Sequence, residues 1–240
     1  MFLYRLKVII VVVSTGLYLC SFIYNSMIFR WLGHSAIELK EGEIDIAIDP
    51  LTEARIEPDV ICLTHGHSDH LGSTIKIAKD CNCKVLAAFE LAHYLESKGV
   101  EAVGMNLGGS VDVGGIRITM VEAKHSSSIM EGNDIIYAGE PCGFVIEGSI
   151  TAYHAGDTSL FSDMGLIRDL YSPDVSFIPV GGFYTMDERQ ALIAARILGS
   201  RMIVPIHYNT FDAIKTDLAL LKKNLDERLF LPEIGEKYEI

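Results

Sequence analysis

Thr64-His65-Gly66-His67-Ser68-Asp69-His70 is the stretch from which the rest of this chain is read. Three histidines and one aspartate fall within six positions, directly after Asp59-Val60-Ile61-Cys62-Leu63. That apolar run has the length and β-branched content of a short buried strand. The pattern H-x-H-x-D-H therefore predicts a strand that stops and releases a tight loop of ligand-type residues onto a rigid scaffold. Neutral imidazoles and carboxylates are the donors that borderline divalent metals such as zinc prefer. Ligands from one loop cannot all converge on a single tetrahedral ion without strain, so the spacing predicts two neighbouring ions. A loop whose histidines merely cap and solvate leaves so dense a ligand set unexplained.

Composition bounds the rest. The chain has 240 residues, 49% of them hydrophobic and 22% charged, which is globular and not disordered. The length fits one domain, or one α/β sandwich of two similar halves. The formal net charge is −12, and the first 26 residues carry only Arg5 and Lys7, so the body is more acidic still. Such a body repels phosphate backbones and argues against nucleic acid as a partner. Five cysteines (Cys20, Cys62, Cys81, Cys83 and Cys142) are an odd number in a chain too large to need staples. Reduced thiols and a cytoplasmic fold follow as the expectation. Cys81-Asn82-Cys83 lacks the second pair that would make it a metal clip.

Residues 1–26 form a separate hydrophobic leader. Val8 to Phe29 holds no charged residue and follows Arg5 and Lys7, a pattern long enough to span a bilayer. Three expectations stand: a membrane anchor, a signal peptide without an obvious cleavage site, or a start that belongs at Met27. A helix fused without linker to the strand opening at Ile28 would be cramped, which favours the last.

From Ile28 onward, apolar β-prone runs at Ile28–Leu32, Ser35–Leu39 and Ile44–Ile48 predict a β-meander. Val60–Leu63 leads into the ligand loop, and Leu71–Lys79 has helical spacing. Lys84–Ala87 reads as a strand, and Glu90–Lys98 as a helix closed by Gly99. Val111–Val113 and Ile116–Val121 flank a glycine turn, and a loop is expected from Ile129 to Glu140. Cys142–Glu147 and Thr151–His154 read as a hairpin, and Phe161–Leu170 as a helix. Val175–Val180 is a strand, and Asp187 N-caps a helix to Leu198 closed by Gly199. Met202–Ile206, a helix near Asp217–Leu225 and a short last strand complete the chain. Strands first and then alternating strands and helices, twice over, predict two packed sheets with helices outside.

Four predicted strand ends carry ligand-type residues: the opening loop, His125, Asp157 and His207. If these junctions share one edge, His65, His67 and His125 would take one ion. Asp69, His70 and His207 would take the other, with Asp157 bridging. Alone, His125 or His207 would be a packed histidine and Asp157 a turn residue; the opening loop is what raises them. In two-metal sites the ions sit about 3.5–4 Å apart and share a water whose pKa falls towards neutrality.

Seven stretches carry a family resemblance. They are Trp31-Leu32-Gly33-His34-Ser35, Ile48-Asp49-Pro50, Thr64 to Gly72, His125-Ser126-Ser127-Ser128, His154-Ala155-Gly156-Asp157-Thr158, Pro179 to Met186, and Pro205 to Phe211. With these the chain resembles the metallo-β-lactamase-fold hydrolases, and among them the UPF0173 metal-dependent hydrolases related to the ascorbate-6-phosphate lactonases. The resemblance covers residues 27–211 and implies a four-layer αββα sandwich with metals at one edge. It does not reach the first 26 residues. Aspartate at position 157, with no cysteine among the ligands, looks more like the lactonase, thioesterase and phosphodiesterase branches than the β-lactamases.

The expectation is then a hydrolase in residues 27–240 whose metal-bound hydroxide attacks a small ester, lactone or phosphoester. The alternatives are a phosphodiesterase or nuclease of the same fold, and a metal-binding module without turnover. Two divalent ions are expected, zinc by default, with manganese, iron or nickel also suited to His/Asp donors. Asp69 doubles as a proton acceptor, His34 and His154 orient ligands, and Tyr208 with the Gly181–Met186 loop lines the pocket. His93 is set aside as a surface residue. The partner is a small-molecule substrate; a membrane enters only through the leader, and a homo-oligomer is left open.

Overall fold

The computed structural model describes residues 6–13, 16–23, 26–51 and 56–240, the first two segments as backbone. In chain order its strands are β1 (Leu6–Val13), β2 (Gly16–Ile23), β3 (Met27–Trp31), β4 (Ile37–Glu41), β5 (Ile44–Ile48) and β6 (Val60–Cys62). There follow β7 (Lys84–Ala88), β8 (Ala102–Met105), β9 (Ser110–Val113), β10 (Ile116–Glu122), β11 (Ser128–Glu131) and β12 (Asp134–Tyr137). The last are β13 (Cys142–Glu147), β14 (Thr151–His154), β15 (Val175–Pro179), β16 (Met202–Ile206) and β17 (Lys237–Glu239). The helices are α1 (Ser68–Leu71), α2 (Thr74–Cys81), α3 (Phe89–Ser97), α4 (Met164–Tyr171), α5 (Glu188–Leu198) and α6 (Ala219–Leu225).

Two large sheets result, ordered β17-β3-β4-β5-β6-β7-β8 and β16-β15-β14-β13-β10-β9. Alternation along each strand decides which layer a side chain joins. Ile46, Ile48, Val60, Cys62 and Leu86 of the first sheet meet Ile118, Met120, Phe144, Ile146, Phe177 and Val204 of the second in one central core. Phe29 and Phe177 cross it edge to face, their ring centroids 5.4 Å apart. The intervening residues point outward: Ala47, Ile61, Val85 and Ala87 onto α2 and α3. On the other side, Val145, Tyr153, Ile178 and Ile203 face α4, α5 and α6. Helix, sheet, sheet, helix is the four-layer sandwich that the sequence predicts.

Strand direction gathers the ligand-bearing ends. β5, β6 and β7 are parallel neighbours, as are β14, β15 and β16. β10 is antiparallel to β13, which is antiparallel to β14, so β10 and β14 run the same way. By the same logic β3 runs with β5. The loops after β3, β5, β6, β10, β14 and β16 therefore leave one edge of the sandwich, the place where ligands bind in parallel sheets.

Several expectations are corrected. Ile129–Glu140 is not a loop: β11 and β12 pair as a hairpin with Met130 opposite Ile135. The helix expected over Leu71–Lys79 is two pieces, because Gly72 at φ +40° ends α1 and α2 starts at Thr74. A β-bend, with Ala36 N–H donating to Gly33 O, delays β4 to Ile37. β8 has no counterpart in the sequence reading. The Phe161–Leu170 helix begins at Met164. In the leader, β1 and β2 form an antiparallel hairpin in register Leu6–Ile23 to Val13–Gly16, where a helix had been one expectation. Valine and isoleucine dominate β1, and both favour strands. Among the described residues no helix is long and apolar enough to cross a membrane.

Candidate metal centre

The loop from Thr64 to His70 leaves β6 and closes into the single turn α1, which carries Asp69 and His70. His125 follows β10, Asp157 follows β14, and His207 follows β16. All seven residues predicted as ligands converge at this edge. Donor atoms of His65, His67 and His125 lie within 4.8 Å of one another, and so do those of His65, His70 and Asp157. A third set at the same spacing holds His34, Asp69, His70 and His207. The structure thus brings His34 into the cluster itself, with its Nε2 3.2 Å from Asp69 Oδ2.

Asp157 sits between the groups. Its Oδ1 lies 3.3 Å from His70 Nε2, and its Oδ2 lies 3.0 Å from His207 Nε2 and 3.7 Å from His125 Nε2. These are approaches without hydrogen-bond alignment. His70 Nε2, both ring nitrogens of His207 and Asp157 Oδ1 are buried and have no hydrogen-bond partner among the described residues. Buried polar atoms left unpaired are rare and call for an explanation. Cations between these donors satisfy them, so the residues present fit a metal centre.

The surrounding polar groups set the tautomers. Asp49 is fully buried at the end of β5 and accepts from Thr64 N–H at 2.8 Å and Thr64 Oγ1 at 2.7 Å. His70 Nδ1 lies 2.7 Å from Asp49 Oδ2 and so donates to it, which leaves Nε2, facing Asp157, as the nitrogen whose proton an ion would displace. Because the one Thr64 hydroxyl proton goes to Asp49, Thr64 Oγ1 can only accept from His65 Nδ1 at 3.0 Å. His65 Nε2 then carries the lone pair, 3.0 Å from His67 Nδ1, from which it can accept. Asp49 and Thr64 are functional residues that the sequence reading missed. The available signals were a carboxylate at a strand end before proline and the place of both residues in stretches that carry the family resemblance.

The electrostatics divide the histidines. Burial lowers His65, His67, His125 and His34 and keeps them neutral. Burial would lower His70 too, but the facing carboxylates of Asp157 and Asp49 hold it well above the usual imidazole range. Asp157 and Asp69 similarly overcome burial at His207 and push it up to about 9. In return Asp157 is held well below the carboxylate range by His70 and His207, against its burial. Strain marks the same edge. His34 (φ +51°), Asp49 (φ +46°) and His207 (φ +53°) all occupy left-handed backbone, a region that costs non-glycine residues about 1–3 kcal/mol and that clusters at functional sites. The two sheets are tied here by His207 N–H to His34 O and by Cys142 N–H to Thr64 O, each 3.0 Å.

The remaining predicted residues stand one step back. His154 donates from Nε2 to Ser35 O at 2.8 Å and accepts from Gly156 N–H at 3.1 Å, so it fixes the backbone just before Asp157. Tyr208 stacks on Trp31, with centroids 5.6 Å apart and planes 9° apart. Trp31 Nε1 in turn donates to His34 O. His93 lies on α3, away from the cluster, its Nδ1 3.6 Å from Glu96.

Comparison with known proteins agrees with this geometry. Residues 46–208 match the beta-lactamase superfamily domain. A UPF0173 metal-dependent hydrolase of Methanoculleus marisnigri is 45% identical over 222 residues, covering 89% of this chain and 97% of that protein. One from Geobacillus thermodenitrificans is 48% identical over 199 residues, covering 77% and 87%. Among solved structures, Igni18, a metallo hydrolase of Ignicoccus hospitalis, superimposes with a TM-score of 0.81 at 32% identity, covering 90% of this chain and 98% of that one. The chain belongs to the UPF0173 family of metal-dependent hydrolases, within the metallo-β-lactamase superfamily.

Proposed function

We propose that the protein hydrolyses a small ester, lactone or phosphoester with two divalent ions, zinc in the first instance. The observation that carries this reading is the position of Asp157, whose two oxygens face His70 on one side and His125 and His207 on the other. His65, His67 and His125 would hold one ion, and Asp69, His70 and His207 the other, with His34 beside the second set. When bound, such ions supply a hydroxide nucleophile near neutral pH and polarise the oxygen under attack.

The chain's own groups do the rest. Asp49 and Thr64 hold the Nδ1 protons of His70 and His65, so that Nε2 of each is the nitrogen that would turn a lone pair to a bound ion. Asp69, whose side chain keeps 33% of its surface exposed, is the one carboxylate of the cluster open to solvent. Asp69 would accept the proton that an attacking water gives up. The acidic body of the chain counts against polyanionic substrates.

The test compares the zinc-loaded full chain with Asp157→Ala on a lactone, a thioester, a β-lactam and a phosphodiester. Turnover of one class, reduced at least about a hundredfold in the variant, supports the reading and names the class. A rate that survives the substitution rejects it.

A further inference from the structure

One surface feature beside the cluster is not explained by metal binding. Phe183 is 70% exposed, Tyr184 53% and Phe211 39%. Three large aromatics from two loops are left in water side by side, whereas the other strongly exposed rings among the described residues, Phe89 and Tyr137, have no exposed ring stacked on them, and contiguous patches of this kind mark binding sites. They are not scattered. Phe183 and Tyr184 meet edge to face at 4.6 Å, and Tyr184 and Phe211 at 6.3 Å. Phe211 lies 5.9 Å from His34, whose ring is 4.1 Å from His207. The rings form a continuous path from open solvent to the cluster.

Both loops are pinned to the site. Met186 N–H donates to Thr158 O, the residue after Asp157, and Gly182 N–H donates back to Met186 O at 3.1 Å. Gly181 packs so closely that a Cβ there would lie 2.3 Å from His207 O. On the second loop, Asn209 N–H donates to Ile214 O, and Asn209 Oδ1 accepts from Thr216 N–H. The wall therefore stands at a fixed height beside the metal centre, pre-organised for a flat partner.

We propose that Phe211, Tyr184 and Phe183 form the specificity wall of the site and select substrates whose leaving or acyl group is a flat, uncharged aromatic. This rests on the hydrolase reading above and narrows it to aryl-bearing esters. A stacked ring gains an offset or edge contact beyond the area it buries, whereas a phosphate gains little from three aromatic faces.

The test separates binding from turnover. N-benzylacetamide and N-butylacetamide are titrated by NMR into the zinc-loaded full chain, and benzyl acetate and butyl acetate are assayed in parallel. The wall predicts about tenfold tighter binding of the benzyl compound, roughly the gain from two aromatic contacts. Tyr184→Ala and Phe211→Ala bring it down to the butyl level, while Tyr184→Phe retains it. The benzyl ester shows the same preference in KM, with kcat little changed. All three residues are solvent-exposed, so these variants fold. Equal affinity for the two amides, or a preference that survives both alanine variants, overturns the wall. A benzyl preference in binding with no Asp157-dependent hydrolysis of either ester upholds the wall and rejects the ester reading of the catalytic centre.

Discussion

At the scale of single residues, the centre is governed by protons as much as by donors. Asp49 makes three hydrogen bonds with its two oxygens, to Thr64 twice and to His70. Asn in its place must point an NH₂ group at one of those donors and loses the charge that keeps His70 oriented. Asp49→Asn should weaken zinc binding about 10–100-fold, measured by competition with a chromophoric chelator, while circular dichroism stays native. Unchanged affinity would remove Asp49 from the account. A second consequence concerns pH. In the metal-free protein His207 is raised to about 9 from its ordinary 6.5. Its contribution to stability is thus fully present below the unfolded value and is lost as pH rises through the folded one. An ion must displace that proton, and the proton that His70 holds as well, so zinc affinity should increase as pH climbs towards 9. Calorimetry in two buffers of different ionisation enthalpy at pH 7.5 should count at least one proton released per chain, and fewer in His207→Gln. Asp49 stood in the sequence only within the Ile48-Asp49-Pro50 stretch and its role was illegible, because a carboxylate before proline reads as a turn; only packing against β6 buries it.

Among the elements, those whose signals are local were legible. The hairpin of β13 and β14 and helix α5 stand where the sequence put them. At Asp187 the full reciprocal cap is present, with Gln190 N–H donating to its side chain and Gln190 Oε1 accepting from its own N–H. The β11–β12 hairpin was not legible. Its strands are four residues each, its outer face exposes Met130, Ile135 and Tyr137, and only Ile129 is deeply buried. Neither alternation nor an apolar run announces such a pair. β8 escaped for a related reason: it contains Gly104 and buries only Met105. Yet β11–β12 supports the ligand loop. A Cβ on Gly66 would lie 2.6 Å from Ala138 Cβ and 3.1 Å from Ser128 O. Gly66→Ala should therefore push the hairpin off the loop and cost about 1–3 kcal/mol, as overpacking does, seen as a lower midpoint in urea. A midpoint equal to wild type would show that the hairpin does not brace the site.

For the whole molecule, the site exists because two sheets end together. His34, Asp49, His65, His67, Asp69 and His70 come from loops of the first sheet, and His125, Asp157 and His207 from loops of the second. Neither sheet carries both halves of the ligand set, so the centre assembles only when the central core has closed. Seven of these were named from the sequence as ligands; Asp49 was not, nor was the place of His34 among them, since its approach to Asp69 depends on the left-handed turn after β3. The most direct test of the central claim is the metal content of the full chain and of Asp157→Ala, measured by plasma mass spectrometry after zinc loading and desalting. Two ions per chain, falling to one or none in the variant, are predicted. One ion or none in the wild type, or two in both proteins, would contradict a centre built around Asp157.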